Sequence, residues 1–214
     1  MQKYGLDASM VAREQNARAE DRKCVIIEVF GIYARQYSQL ACGIAHAVAG
    51  AYPLVSGKNT KRYVYAYGFE SATFTVQVLY ASLRLQAESE LKLAWGRAVK
   101  EEPWLRHYTA MEKFVWKRTF LIGFINTVLD RLAAARARTV QAAADAGLVG
   151  AEVALLDRDR VIQAWADQFA GGPARTGKLS SYDSDGYFAG QSAGASANLG
   201  DDVGLSGSSR RALA

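Results

Sequence analysis

The 214-residue chain is 50% apolar and 22% charged, with 26 Lys and Arg against 21 Asp and Glu for a formal charge of +5. That balance supports a buried core, excludes global disorder and histone-like charge, and its two cysteines and two histidines are too few for a zinc module. No run approaches the roughly 18 to 20 apolar residues of a membrane span, and Met1 to Gly5 lacks the apolar stretch of a secretory signal, so a cytoplasmic chain is expected.

Residues 1–20 read as a separate N-terminal helical segment in which Leu6, Met10 and Val11 keep helical spacing over one or two turns. Cys24 to Phe30 is a β-branched run closed by Gly31, which predicts a strand. From Ala34 to Ala49, Tyr37, Leu40, Ile44 and Val48 recur at helical spacing. Tyr52 to Val55 is short and extended, Ser56 to Thr60 is a turn by composition, and Arg62 to Phe69 is the strand that completes a hairpin. A long helix begins at Ser71, with Val76, Leu79, Leu83, Ala87 and Ala94 inward and Glu70 near its positive end. Glu101-Glu102-Pro103-Trp104 breaks it. A second long helix spans Ala110 to Thr139, with Phe120, Leu121, Phe124, Ile125 and Val128 expected in the core. Ala142 to Gly147 reads as a further helical piece and Ala151 to Leu156 as a short strand. Arg160 to Phe169 reads as a last helix with Val161, Ile162, Trp165 and Phe169 inward. The expected fold is a single α+β domain over 21–170, a small antiparallel sheet with a β-α-β-β-α core covered by long helices.

Composition shifts near Gly171. Residues 171–214 hold nine of the 19 glycines and eight serines, and their acids and bases cancel, so a flexible tail is the first reading. Gly186, Gly190 and Gly194 nevertheless recur every four residues, as do Ala189, Ala193 and Ala197. On a helix each set forms a stripe of small residues that admits close backbone approach, the alternative reading for this stretch.

Few residues suggest chemistry. Cys24 and Cys42 read as buried thiols, although Cys42 and His46 are four apart and would share a helix face. His107 reads as a surface residue. Ser56-Gly57-Lys58-Asn59 lacks the spacing of a phosphate-binding loop. Asp157-Arg158-Asp159-Arg160 reads first as a helix cap at a strand-to-helix junction and second as a metal-binding pair of carboxylates. No cofactor or metal is expected. The most suggestive stretch is Lys58-Asn59-Thr60-Lys61-Arg62 followed by Tyr63, Tyr65 and Tyr67. On a strand the three tyrosines share one face, and aromatics beside cations are how open sheets take single-stranded nucleic acid. The same rings would equally serve to pack under a helix. Lys117 and Arg118 on the long helix extend the candidate basic surface, or form an ordinary solvated face.

Several stretches are similar to an uncharacterised bacterial and phage family, domain of unknown function 2786, which is well represented in actinobacteria and their phages. Met1 to Asp7 resembles its "KYGL" segment. Tyr67-Gly68-Phe69-Glu70 resembles its "GFExD" strand-to-helix junction, and Leu79 to Leu83 its "LyxSL" helix. Phe120 to Phe124 ahead of Arg131-Leu132 resembles a further helix, Val153 to Arg158 its "vLvDR" strand, and Gly190 to Gly200 its Gly/Ala-rich ending. The resemblance implies paired helices ahead of the "KYGL" segment that this sequence lacks, hence an uncovered apolar patch and self-association. It implies no activity. The expectation is a non-catalytic cytoplasmic binding protein with a nucleic-acid partner preferred. Two other classes stay open: a metal-dependent hydrolase or nuclease using scattered carboxylates, and an assembly component whose protein partner or second copy meets the Gly/Ala stretch.

Overall fold

The computed structural model describes residues 21–145, 149–170 and 182–200. Strand β1 (Arg22–Phe30) leads to helix α1 (Ala34–Ala47), then to strands β2 (Ala51–Lys58) and β3 (Lys61–Phe69). Helix α2 (Glu70–Glu101), a 3₁₀ turn (Pro103–His107), and helices α3 (Ala110–Asp145), α4 (Val149–Asp167) and α5 (Ser184–Ala195) follow. The expected N-terminal segment 1–20 lies outside the described residues, as do 171–181 and 201–214 of the expected tail.

The sheet is antiparallel in the order β1-β3-β2, so β3 is central and the other two strands are edges. Valine and isoleucine carry β1, and Gly31 ends it at φ 106°. Lys58 pairs with Lys61, so the hairpin loop is only Asn59-Thr60. Asn59 takes the left-handed conformation, φ 51°, which asparagine tolerates better than most residues. One face of the sheet buries Ile27, Val29, Val64, Ala66 and Ala51. Helices α1 and α2 cover that face, α1 mainly beneath β2 and β3, α2 beneath β3 and β1. The α+β class and the β-α-β-β-α core agree with the sequence, and all five named inward residues of α2 are buried.

Four features correct the sequence reading. Helix α3 is continuous to Asp145 where a break after Thr139 was expected, because Gln141 to Asp145 contains no breaking residue. Ala151 to Leu156 is helical, part of α4, and not a strand. A six-residue apolar run is ambiguous by periodicity, and its alanines and leucines favour helix. Val161 on α4 and Phe169 just past its end are exposed, at 41% and 57%, where both were expected inward, while Ile162 and Ala166 are buried.

The fourth correction is α5, in the stretch first read as flexible. It lies parallel to α3, with Gly186, Gly190 and Gly194 against the backbone of Trp116, Phe120 and Phe124 in turn. A Cβ built on Gly190 would stand 2.0 Å from the Phe120 carbonyl oxygen. From the other side, a Cβ on Gly123 would stand 2.2 Å from the Tyr187 carbonyl oxygen. The small-residue stripe is therefore what lets the two backbones touch. Polar groups fix both ends. Asp183 caps the helix by accepting the Gly186 N–H at 2.8 Å. Arg131 donates to the carbonyls of Gly194 and Ala197 at 2.8 and 2.7 Å, a cation at the negative end of the helix. Gln86 of α2 exchanges two hydrogen bonds with the backbone of Asn198, at 2.8 and 3.0 Å.

Asp159 is mid-helix and caps nothing on α4. Its carboxylate accepts the Gly50 N–H at 2.7 Å and pairs with Arg136 of α3, which also donates to the His46 carbonyl at 2.7 Å. One acid thus ties α4 to α3 and to the turn after α1. Asp159→Ala should cost about 1–3 kcal/mol, since it leaves the Gly50 amide without its acceptor and the Arg136 guanidinium with the His46 carbonyl in place of an ion pair. A double-mutant cycle with Arg136→Ala in urea unfolding should return a coupling of about 0.5–3 kcal/mol. Zero coupling would mean that Asp159 acts through Gly50 alone.

Candidate nucleic-acid interface

The second face of the sheet is the candidate site, and strand alternation builds it row by row. Register sets Lys61 between Phe30 and Lys58, and Tyr63 between Glu28 and Ser56. Tyr65 stands between Ile26 and Leu54, and Tyr67 between Cys24 and Tyr52. Helix α4 and the turn that follows it close one end of this face. Trp165 meets the Tyr67 ring edge-on at 5.1 Å, Phe169 stacks on it at 5.3 Å, and Arg158 lies 4.2 Å over Phe69. The rows toward the hairpin stay open: Ile26 is 53% exposed and Phe30 47%, with Tyr63 and Tyr65 half-buried. Phe30 and Tyr63 meet edge-to-face at 6.2 Å, and the Lys61 ammonium sits 5.5 Å from both ring centroids. The Tyr63 side chain, and behind it Glu28, pushes the Lys61 pKa up, so the ammonium stays charged at neutral pH.

The predicted residues divide accordingly. Lys58, Lys61, Tyr63 and Tyr65 share the open surface. Tyr67 shares their face but is only 8% exposed beneath α4. Arg62 points the other way, because neighbouring residues on a strand face opposite sides. It is half-buried near Cys42, and its Nε is buried with no hydrogen-bond partner among the described residues. Lys117 lies over Trp95 at 5.6 Å and Arg118 over Phe114 at 5.7 Å, both on α3. Helix α3 touches none of the strands, so this pair is not continuous with the sheet surface. Sequence reasoning missed Phe30, Ile26 and Leu54, although alternation along Cys24, Ile26, Glu28 and Phe30 carried the signal.

Other candidates fare differently. Cys24 is exposed on the open face, where a buried thiol was expected. Cys42 is half-buried, and burial pushes its thiol up to about 12, while burial and then Arg136 lower the His46 pKa. A thiol held neutral is no activated nucleophile. His107 is exposed. Among the described residues no three His, Cys, Asp or Glu side chains approach closely enough to hold a metal ion. No helix among the described residues is long and apolar enough to cross a membrane. A groove of about 270 Å³ between α1 and α3 is lined by Arg35, Gln36, Gln39, Ile122, Ile125, Asn126 and Leu129. None of these is an acid, thiol or imidazole, so the groove carries no acid–base chemistry. Comparison with known proteins returns nothing: no family model, no curated protein and no solved structure matches the chain.

Proposed function

We propose that the chain is a non-catalytic, cytoplasmic binding protein that takes a short stretch of single-stranded nucleic acid across the open sheet face. The observation that carries the reading is the row of rings on the open face, exposed Phe30 with half-buried Tyr63 and Tyr65, ending at Lys58 and Lys61. Bases would stack on the rings, and the two ammonium groups would meet phosphates. Two free cysteines suit a reducing compartment. Membership of domain of unknown function 2786 is proposed on motifs alone. Its strand-to-helix junction falls where β3 ends at Phe69 and α2 begins at Glu70, but its "vLvDR" strand falls on helix α4. A protein partner is the second reading, favoured by Glu28 beside Tyr63 and by Ile26 and Leu54 flanking Tyr65.

Fluorescence anisotropy with labelled single-stranded DNA and RNA tests the proposal. Tyr65→Ala should weaken binding by about 1–3 kcal/mol, the usual worth of one stacked base. Lys58→Ala with Lys61→Ala should flatten the salt dependence by about 1.4 in slope, two phosphate contacts on a single strand. Lys117→Ala and Arg118→Ala should leave binding unchanged. No binding at low salt, or equal binding by the sheet variants, would refute the nucleic-acid reading and leave the protein partner.

A further inference from the structure

The two sheet edges are not alike. Helix α4 packs against β2, whereas β1 touches only β3, α1 and α2 among the described elements. Both of those helices lie beneath the sheet, so the outer edge of β1 meets no described element. A nine-residue strand with four β-branched residues and an open edge is a template for a further strand, and proteins that stay single usually blunt such an edge with proline, bulges or charge. In β1 the stretch Cys24 to Ile27 carries no charge, with Arg22 and Lys23 before it and Glu28 after it.

We infer that β1 pairs antiparallel with β1 of a second copy of this chain, around a two-fold axis through Val25, to make one six-stranded sheet. Charge selects both the occupant and the register. Pairing about a two-fold axis that continues both faces sets residues of like parity opposite each other. Centred on Val25, it places Arg22 opposite the partner's Glu28, and the symmetry repeats that contact at the other end. Cys24 then faces the partner's Ile26 on the open side. Shifting the centre to Cys24, Ile26 or Ile27 sets no opposite charges of β1 across from each other, centring on Lys23 opposes two lysines, and centring on Glu28 opposes two glutamates. Opposite charges across strands stabilise and like charges destabilise. Glu28 also lies near Lys61 within its own chain, on the same face. Strand pairing alone buries less than the roughly 1,000 Å² of a specific interface. Exposed Ile32, after β1, and exposed Phe74 and Val78, on the helix beneath β1, offer the apolar area to complete it. The inference goes beyond the nucleic-acid proposal and does not rest on it.

Sedimentation of the full chain over a concentration series should show a species of twice 23.3 kDa. Arg22→Glu alone and Glu28→Arg alone should each set like charges opposite and halve the mass, and the two together should restore the dimer. Hydrogen exchange on the unmodified chain gives a reading free of folding defects: β1 amides should become more protected as concentration rises, with β3 amides unchanged. A chain that stays monomeric with β1 exchange independent of concentration overturns the inference and leaves the edge to a strand of another protein. A dimer that survives both single reversals overturns it too, and points to exposed α2 as the contact.

Discussion

Gly190→Ala is expected to destabilise the protein by about 1–3 kcal/mol and to expose α5 to protease, although alanine favours a helix over glycine by about 1 kcal/mol. The sign rests on one distance. The added methyl would stand 2.0 Å from the carbonyl oxygen of Phe120 and 2.8 Å from its carbon, both backbone atoms that cannot swing aside. The helices must separate, and the contacts of Arg131 and Gln86 with the far end of α5 loosen with them. Gly96→Ala on α2 is the control, since a Cβ there meets nothing within 4 Å. It should stabilise by up to about 1 kcal/mol through helix propensity. Urea unfolding of the two variants beside the parent measures both. Equal shifts of the same sign would mean that the glycines of α5 are there for some reason other than contact.

Phe120→Ala should cost about 3–5 kcal/mol, a large share of a domain's usual 5–15 kcal/mol. The ring is fully buried, stacked between Trp116 at 5.9 Å and Phe124 at 6.5 Å. Leu121, equally buried on the next position, should lose about 2–5 kcal/mol as Leu121→Ala. The midpoint of denaturation should fall with little change in its slope. A loss under about 0.5 kcal/mol for either variant would mean that this stretch of α3 repacks freely, which stiff stacked rings do not allow.

What the sequence disclosed follows the range of the forces involved. The β-branched run of β1, the periodicity of α1 and α2, and the buried face Phe120 to Val128 are local patterns, and each stands where its pattern put it. Local pattern also contained the answer for Arg62, because residues adjacent on a strand cannot share a face with Tyr63. The remaining differences need distant partners. Cys24 is exposed because its strand is an edge, which depends on β3 entering between β1 and β2. Tyr67 is covered by Trp165 and Phe169, about a hundred residues later. Lys117 and Arg118 fall away from the tyrosines because α3 contacts helices and no strand. The Gly/Ser composition around α5 weighs against order only until Trp116 to Phe124 is there to receive it.

The seat of α5 has a consequence for synthesis. Its glycines meet backbone atoms of α3 that leave the ribosome about 70 residues earlier. At about 5–20 residues per second, the Trp116 to Phe124 ridge waits roughly 4 to 14 s for its cover. During that interval the Trp116 to Phe124 stretch of α3 is made but still lacks the helix whose glycines press on its backbone. A stalled product ending before Ser184 should be cut by protease within α3, while one that has released residue 200 should be protected there.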